Sequence, residues 1–201
     1  MKQSAFKVIT TSLRDTWLDL WSALVCNIVW LFACVLIIPG PPATLALYYY
    51  ANQSVRGEAI YVTDFFKAIP RYWKAGWRWG IVNLIVLAIL AGDIYLTRSQ
   101  NPTSAGLFFR GLYFTLLAFW LLIQIFALPF MLEQEEPAVF KALRNSVVLI
   151  GKNPIFCFTL LILLILTLSL GIIAFMLSVA LGGIFVALVG NRAVLGQIQT
   201  Q

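Results

Sequence analysis

From Ile155 to Gly190 the chain runs for 36 residues without a charged side chain. As a single helix rising about 1.5 Å per residue, that run would measure about 54 Å, well beyond a bilayer core of about 30 Å. It must therefore double back. A tight hairpin near Gly171, between helices at Pro154–Ser169 and Ile172–Gly190, is the simplest solution. Composition points the same way, since 61% of residues are hydrophobic, 11% are charged, and mean hydropathy is +0.90. A soluble domain is about half apolar and about a quarter charged. A chain of this size cannot hide so much apolar surface from water, so lipid is the expected solvent.

Further apolar runs suit helices at Trp17–Ile38, Trp79–Leu96 and Leu112–Leu132, against a need of about 20 residues per span. The first begins too late and runs too long for a cleaved secretory leader, and reads as a retained signal anchor. A sixth crossing is less obvious, because Pro41–Arg56 holds only nine mainly apolar residues, Ala43–Ala51. Charge decides in its favour. If the chain returns there, twelve of the fourteen Lys and Arg residues fall on one side, leaving Arg98 and Arg110 outside. With the other five spans kept and no return, the best split is nine to five. Lys and Arg are retained in cytoplasmic segments. The expectation is an all-α polytopic protein of the plasma membrane, a single domain over 1–201, with six crossings as three helical hairpins and both termini cytoplasmic.

"FKVI" at Phe6, "FKAI" at Phe66 and "FKAL" at Phe140 each stand shortly before a span. Each starts an amphipathic helix. In the first, Phe6, Ile9, Leu13, Trp17 and Leu20 follow the three-and-four rhythm of one face; in the third, Phe140, Leu143, Val147 and Ile150 do, after a helix start at Pro137. One surface helix followed by one out-and-back hairpin would then recur over 6–58, 64–134 and 138–193. Between these lies "FFKAIPRYWKAGWRWG", where Lys67, Arg71, Lys74 and Arg78 are interleaved with aromatics. Such a basic amphipathic stretch beside a span is expected to lie in the interface, its cations on anionic lipid headgroups at about 1 kcal/mol each, with Pro70 kinking it. A cytoplasmic protein partner could read the same face. Because topology already accounts for the net charge of +6, no nucleic-acid partner is expected.

Asp93 falls four residues short of the outer loop, and Arg110 holds the matching place on the descending helix. Pairing would relieve the cost of either charge in a poor dielectric. The pair reads as a structural pin or, alternatively, as a substrate or proton site opening outward. Asn27, Asn83 and Gln124 are strongly polar at depth and suit interhelical hydrogen bonds, while Gly182, Gly183 and Ala187 suit close helix packing. Together Asn27, Asn83, Asp93, Arg110 and Gln124 form a candidate intramembrane polar site.

The chain contains no histidine, so a Ser-His dyad or a His-ligated zinc cannot be built. Asp93 alone cannot supply a proton-sharing carboxylate dyad, and no phosphate-cradling glycine loop is present. Glu133, Glu135 and Glu136 read as a solvated helix start. Cys26, Cys34 and Cys157 lie in apolar runs, where no disulfide is expected. No catalytic constellation, metal or cofactor is expected.

The stretch "GPPATLALYYYANQSVRGE", followed by "DFFKAIPRYWKAG", resembles the signature region of the YesL-like family of bacterial membrane proteins. The matching positions are Asn27 with Trp30, Gly40 with Pro41 and Ala43, Tyr48, Arg56-Gly57-Glu58, and Phe65 or Phe66. Pro42 is an added proline. The resemblance carries no established activity. It implies an accessory or regulatory role near a carbohydrate uptake system, with a permease or a sensor kinase as partner. The alternative is a small secondary transporter using the polar pocket.

Overall fold

The computed structural model describes residues 4–97, 104–170 and 175–198, with side chains in the last segment from 183 to 196. Among the described residues all regular structure is helical. The order is α1 (Ala5–Leu18), α2 (Leu20–Val35), α3 (Gly40–Val55), α4 (Val62–Arg71), α5 (Trp73–Leu96), α6 (Ser104–Leu132), α7 (Val139–Lys152), α8 (Pro154–Leu170) and α9 (Phe175–Ile198). The expected turn near Gly171 and the loop around Arg98 lie outside the described residues.

The three helices that carry a Phe-Lys pair, α1, α4 and α7, each start on a side chain that accepts an otherwise orphaned amide. Ser4 Oγ accepts from Lys7 N at 3.3 Å, Asp64 Oδ2 from Tyr61 N at 3.0 Å, and Gln134 Oε1 from Ala138 N at 3.1 Å. Each of these helices gives way to an apolar one after a single residue, Asp19, Tyr72 or Asn153. The axis turns by 95° from α1 to α2 and by 103° from α7 to α8. At Asn153 the cause is local, because Pro154 steers the residue before it away from helical backbone, and Asn153 sits at φ −135° and ψ 56°. Pro70 stands inside α4, one residue before its last, and the helix is capped at Tyr72, at φ −97° and ψ 15°.

Two helices, α5 and α6, are each long and apolar enough to cross a membrane; the pairs α1–α2 and α7–α8 qualify only if each bent pair is taken as one broken span. Length therefore gives two to four crossings. Of the helices expected as further spans, α2, α3 and α8 have 16, 16 and 17 residues, short of the usual requirement of about 20, and α9 has 24, of which Gly183–Gly196 counts as a shorter apolar helix. For α3 the reason lies in its surroundings. It packs against α2, α4, α5, α6 and α9, and ten of its residues are buried, Tyr48, Tyr50 and Asn52 among them. A helix sheathed by protein needs no apolar outer face, so its sequence keeps polar groups that a lipid-facing helix would not.

Each helix that carries a Phe-Lys pair rests on a different helix of a central trio. α3, α6 and α9 pack on one another; α4 rests on α3, α7 on α6, and α1 on α9. α5 also seats on α3 as α2 does on α9, although α8 and α6 lack a contact of that extent. The Phe-Lys pairs keep one register within this arrangement. Ala5, Phe65 and Val139 are buried, the following Phe6, Phe66 and Phe140 are 67%, 47% and 77% exposed, and Val8, Ala68 and Ala142 are buried.

That register divides the expected apolar faces, turning part of each outward and burying Ile9 and Ile150. Phe6, Leu13 and Trp17 point outward, whereas α1 buries Ala5, Val8, Ile9, Ser12 and Thr16. In α7, Phe140 and Val147 are exposed and Val139, Ala142, Ser146, Leu149 and Ile150 are buried. Small residues let helices approach closely, so the smaller face takes the protein contact. The bulkier face is left for the surroundings. Large exposed apolar side chains continue over α2, α5, α6 and α8, a surface suited to lipid and far larger than water tolerates.

Candidate functional site: polar clusters on the central helices

Where α3 and α6 end, four side chains close the axis of the bundle. Arg56 Nη2 donates to both carboxylate oxygens of Glu133, at 2.7 and 2.6 Å. Arg56 Nε donates to Asn52 Oδ1 at 2.9 Å. Asn52 Nδ2 in turn reaches Glu133 Oε1 at 2.8 Å and Asn191 Oδ1 at 3.0 Å. Asn191, fully enclosed, donates to the carbonyls of Tyr48 and Ala187 at 3.1 and 2.9 Å. The polar members thus come from α3, from the residue after α6, and from α9, the three helices that meet at the axis. Within this cluster both buried amides, Asn52 and Asn191, are engaged.

Gly57 makes the end of α3 possible. It adopts φ 77°, where a Cβ would be strained, and Glu58 N and Gly57 N return to the carbonyls of Gln53 and Ser54 at 3.1 Å each. This is the Schellman geometry that satisfies a helix's last carbonyls. A second charged group stands nearby, where Arg192 on α9 pairs with Asp15 on α1. Tyr50 Oη donates to Asp19 Oδ2 at 2.6 Å across the α1–α2 break.

Glu133 is therefore no solvated helix start, and the sequence reading also overlooked Asn52, Asn191, Asp15 and Asp19. Asn52 and Arg56, four apart on an otherwise apolar helix, were the readable signal. Glu135 and Glu136 do stay exposed. With Lys141 and Lys152 they rim a surface cleft of about 780 Å³ between the end of α6 and α7. Among the described residues no group of three or more Cys, Asp or Glu side chains is placed to hold a metal.

Of the expected intramembrane polar residues, Asn83 and Gln124 come together. Gln124 Oε1 accepts from Trp79 Nε1 at 2.8 Å and from Asn83 Nδ2 at 3.3 Å, and Asn83 Oδ1 accepts from Trp120 Nε1 at 3.1 Å. This cluster joins α5 to α6. Asn27 lies elsewhere, buried on α2 against Gly183 of α9, where an added Cβ would come within 2.4 Å of Asn27 Oδ1. Gly183 thus serves the close approach expected of it; Gly182 falls outside the residues with described surroundings. Trp30, one turn from Asn27, donates Nε1 to Thr44 Oγ1 at 2.9 Å.

Between these two groups lies a cavity of about 390 Å³, walled by Trp30, Thr44, Tyr48, Trp79, Gln124 and Val186 among others. It touches six helices and, among the described residues, no charged side chain.

Asp93 and Arg110 are not joined. Arg110 Nη2 donates to the Thr97 carbonyl at 2.6 Å, and among the described residues no ion pair links it to Asp93. The carbonyls ending a helix carry the negative end of its dipole and lack internal partners. Arg110 takes that acceptor at the end of α5.

The basic stripe is divided by the turn at Tyr72, with Lys67 and Arg71 on α4 and Lys74 and Arg78 on α5. Lys67 Nζ pairs with Asp64 at 3.3 Å. The Asp64 carboxyl is held below its ordinary value, chiefly by the Tyr61 amide and further by Lys67. Arg71 sits over the rings of Tyr49 and Tyr72, 5.6 and 5.4 Å from their centroids. Lys74 and Arg78 are exposed, and neither forms an ion pair among the described residues.

The family described as "Protein of unknown function, DUF624", the family of the YesL-like proteins, matches residues 23–94. The matched stretch is similar to that family from within α2 to near the end of α5, and contains the positions that carried the resemblance. No significant match is found among curated proteins or solved structures.

Proposed function

We propose that the chain is a non-enzymatic integral protein of the plasma membrane, with six crossings, cytoplasmic termini and a threefold repeated unit of interfacial helix plus hairpin. In this reading it acts as an accessory or regulatory component beside a carbohydrate uptake system, docking a permease or a sensor kinase. The observation that carries it is the common register of α1, α4 and α7, which packs each helix on a central one and turns a Phe-Lys pair outward. Three such helices at one end of a bundle give a platform that anionic headgroups and a partner can share. The association with sugar uptake rests on the family resemblance alone.

The test has two arms. A Lys74→Cys probe is expected to label only after the cell is permeabilised, and a sugar permease or sensor kinase is expected to co-purify in mild detergent. Co-purification should fall when Lys7, Lys67 and Lys141 are reversed to Glu. Labelling of intact cells overturns the orientation, and unchanged or absent co-purification overturns the docking role.

A second reading, a small secondary transporter, is favoured by the central cavity. Substrate uptake into proteoliposomes that is abolished by Val186→Phe, which fills the cavity, supports it; no uptake of any probe sinks it.

A further inference from the structure

The central cavity has a chemistry that neither reading uses. Its volume of about 390 Å³ falls in the range of small-molecule sites, about 300–1,000 Å³. Its polar groups are largely spent on one another. Trp30 Nε1 is bound to Thr44, the Thr44 hydroxyl donates to the Gly40 carbonyl at 2.9 Å, and Trp79 Nε1 is bound to Gln124 Oε1. The other end of the Gln124 amide is different. Gln124 Nε2 is buried and, among the described residues, has no hydrogen-bond partner.

Three classes of occupant fit badly. Water needs two to four polar partners to stay in a cavity. A sugar would bury several hydroxyls against apolar walls, and an anion would meet no cation. An apolar chain carrying one neutral carbonyl matches, since its body covers the walls and its oxygen accepts from Gln124 Nε2. An unpaired buried amide costs about 1–3 kcal/mol, so supplying its missing acceptor favours such a ligand.

We propose that the cavity binds a neutral acyl ester, its carbonyl held by Gln124 Nε2 and its chain between Trp30 and Trp79. The source is either a bilayer lipid or a free acyl ester. The site rests on the cavity named in the transporter reading, though not on transport.

Photo-crosslinking of the full chain in mild detergent tests it, using a diazirine-bearing fatty-acyl methyl ester, the corresponding free fatty acid, and an alkane of equal length. Preferential crosslinking of the ester, mapped to α2, α3, α6 or α9 residues around the cavity, is expected. Val186→Phe should reduce it at least tenfold. Gln124→Glu keeps an acceptor for Trp79 and Asn83 but loses the amide donor, and should erase the preference for ester over alkane. A diacyl phospholipid carrying the diazirine separates the two sources, since crosslinking by it in place identifies the bilayer lipid and its failure beside a reactive methyl ester identifies the free ester. Equal reaction of all the probes, or crosslinks confined to outward residues such as Phe114 and Ile162 and indifferent to Val186→Phe, overturns the site. Uptake is scored separately: ester crosslinking without uptake upholds the site and removes the transporter.

Discussion

Arg56, at the end of α3, holds Glu133, just past α6, through one nitrogen that reaches both carboxylate oxygens at 2.7 and 2.6 Å. The ion pair is half open to solvent, with side-chain exposures of 41% and 19%, so its Coulomb energy alone contributes little. Its weight comes from Asn52 beneath it, which accepts from Arg56 and donates to Glu133 and would lose a partner if either charge left. Glu133→Gln is expected to destabilise the fold by about 1–2 kcal/mol. Arg56→Ala combined with Glu133→Ala should cost less than the two single changes added, in a thermal-unfolding cycle in detergent. Arg56→Lys should rescue poorly, because an ammonium cannot reproduce the guanidinium's planar fork.

Two glycines make opposite predictions for the same substitution. An alanine Cβ at Gly76 would stand 2.5 Å from Pro42 Cα, backbone against backbone, where α5 crosses α3. Gly76→Ala should cost about 3 kcal/mol or more, since neither helix can yield locally. At Gly92 nothing lies within 4 Å. Gly92→Ala should leave the melting temperature unchanged or raise it, at up to about 1 kcal/mol of helix propensity. The contrast checks the close approach without appeal to any activity.

Asp64 sets a pH dependence at the start of α4. Its pKa is lowered in the folded chain from the ordinary 3.8 by the Tyr61 amide and Lys67. A depressed folded pKa contributes stability that is present above the unfolded value and is lost as pH falls through the folded one. Hydrogen exchange at the first amides of α4 should therefore quicken, beyond its intrinsic rate, as pH drops below 3.8. In Asp64→Ala that excess should be raised at neutral pH and flat across the range.

Asp93→Asn should shift stability by less than about 0.5 kcal/mol, since among the described residues its carboxylate has no ion pair to lose. Arg110→Leu is expected to cost more, because it strips the Thr97 carbonyl of its donor. A strong coupling between the two in a double-mutant cycle would restore the pair that the geometry lacks.

Much of the helical layout was legible because its signals are local. Pro154 and the uncharged run located α8 closely, and the segment read at Pro41–Arg56 falls on α3. Charge balance singled out the return at 40–55 as a helix even though its apolar core is short. The polar site was less legible. Hydropathy singled out Asn83 and Gln124, which do meet, but not Asn52 or Asn191, whose roles depend on partners from distant segments. The expected stripe on α1 is split for a similar reason, with Phe6, Leu13 and Trp17 outward and Ile9 buried: periodicity gives the apolar stripe, while protein contact goes to whichever face allows the closest approach. No pattern of spacing distinguishes lipid from protein when both are apolar.

Because α1 rests on α9 and α8, a helix made early must wait for two made later before its seat exists. Closure is thus a late event during biogenesis, with α1 held meanwhile by headgroups or a chaperone. A chain cut short ahead of Phe175 would take one of these two supports from α1 and uncover the inner side of α2, and quality-control proteases should find it there.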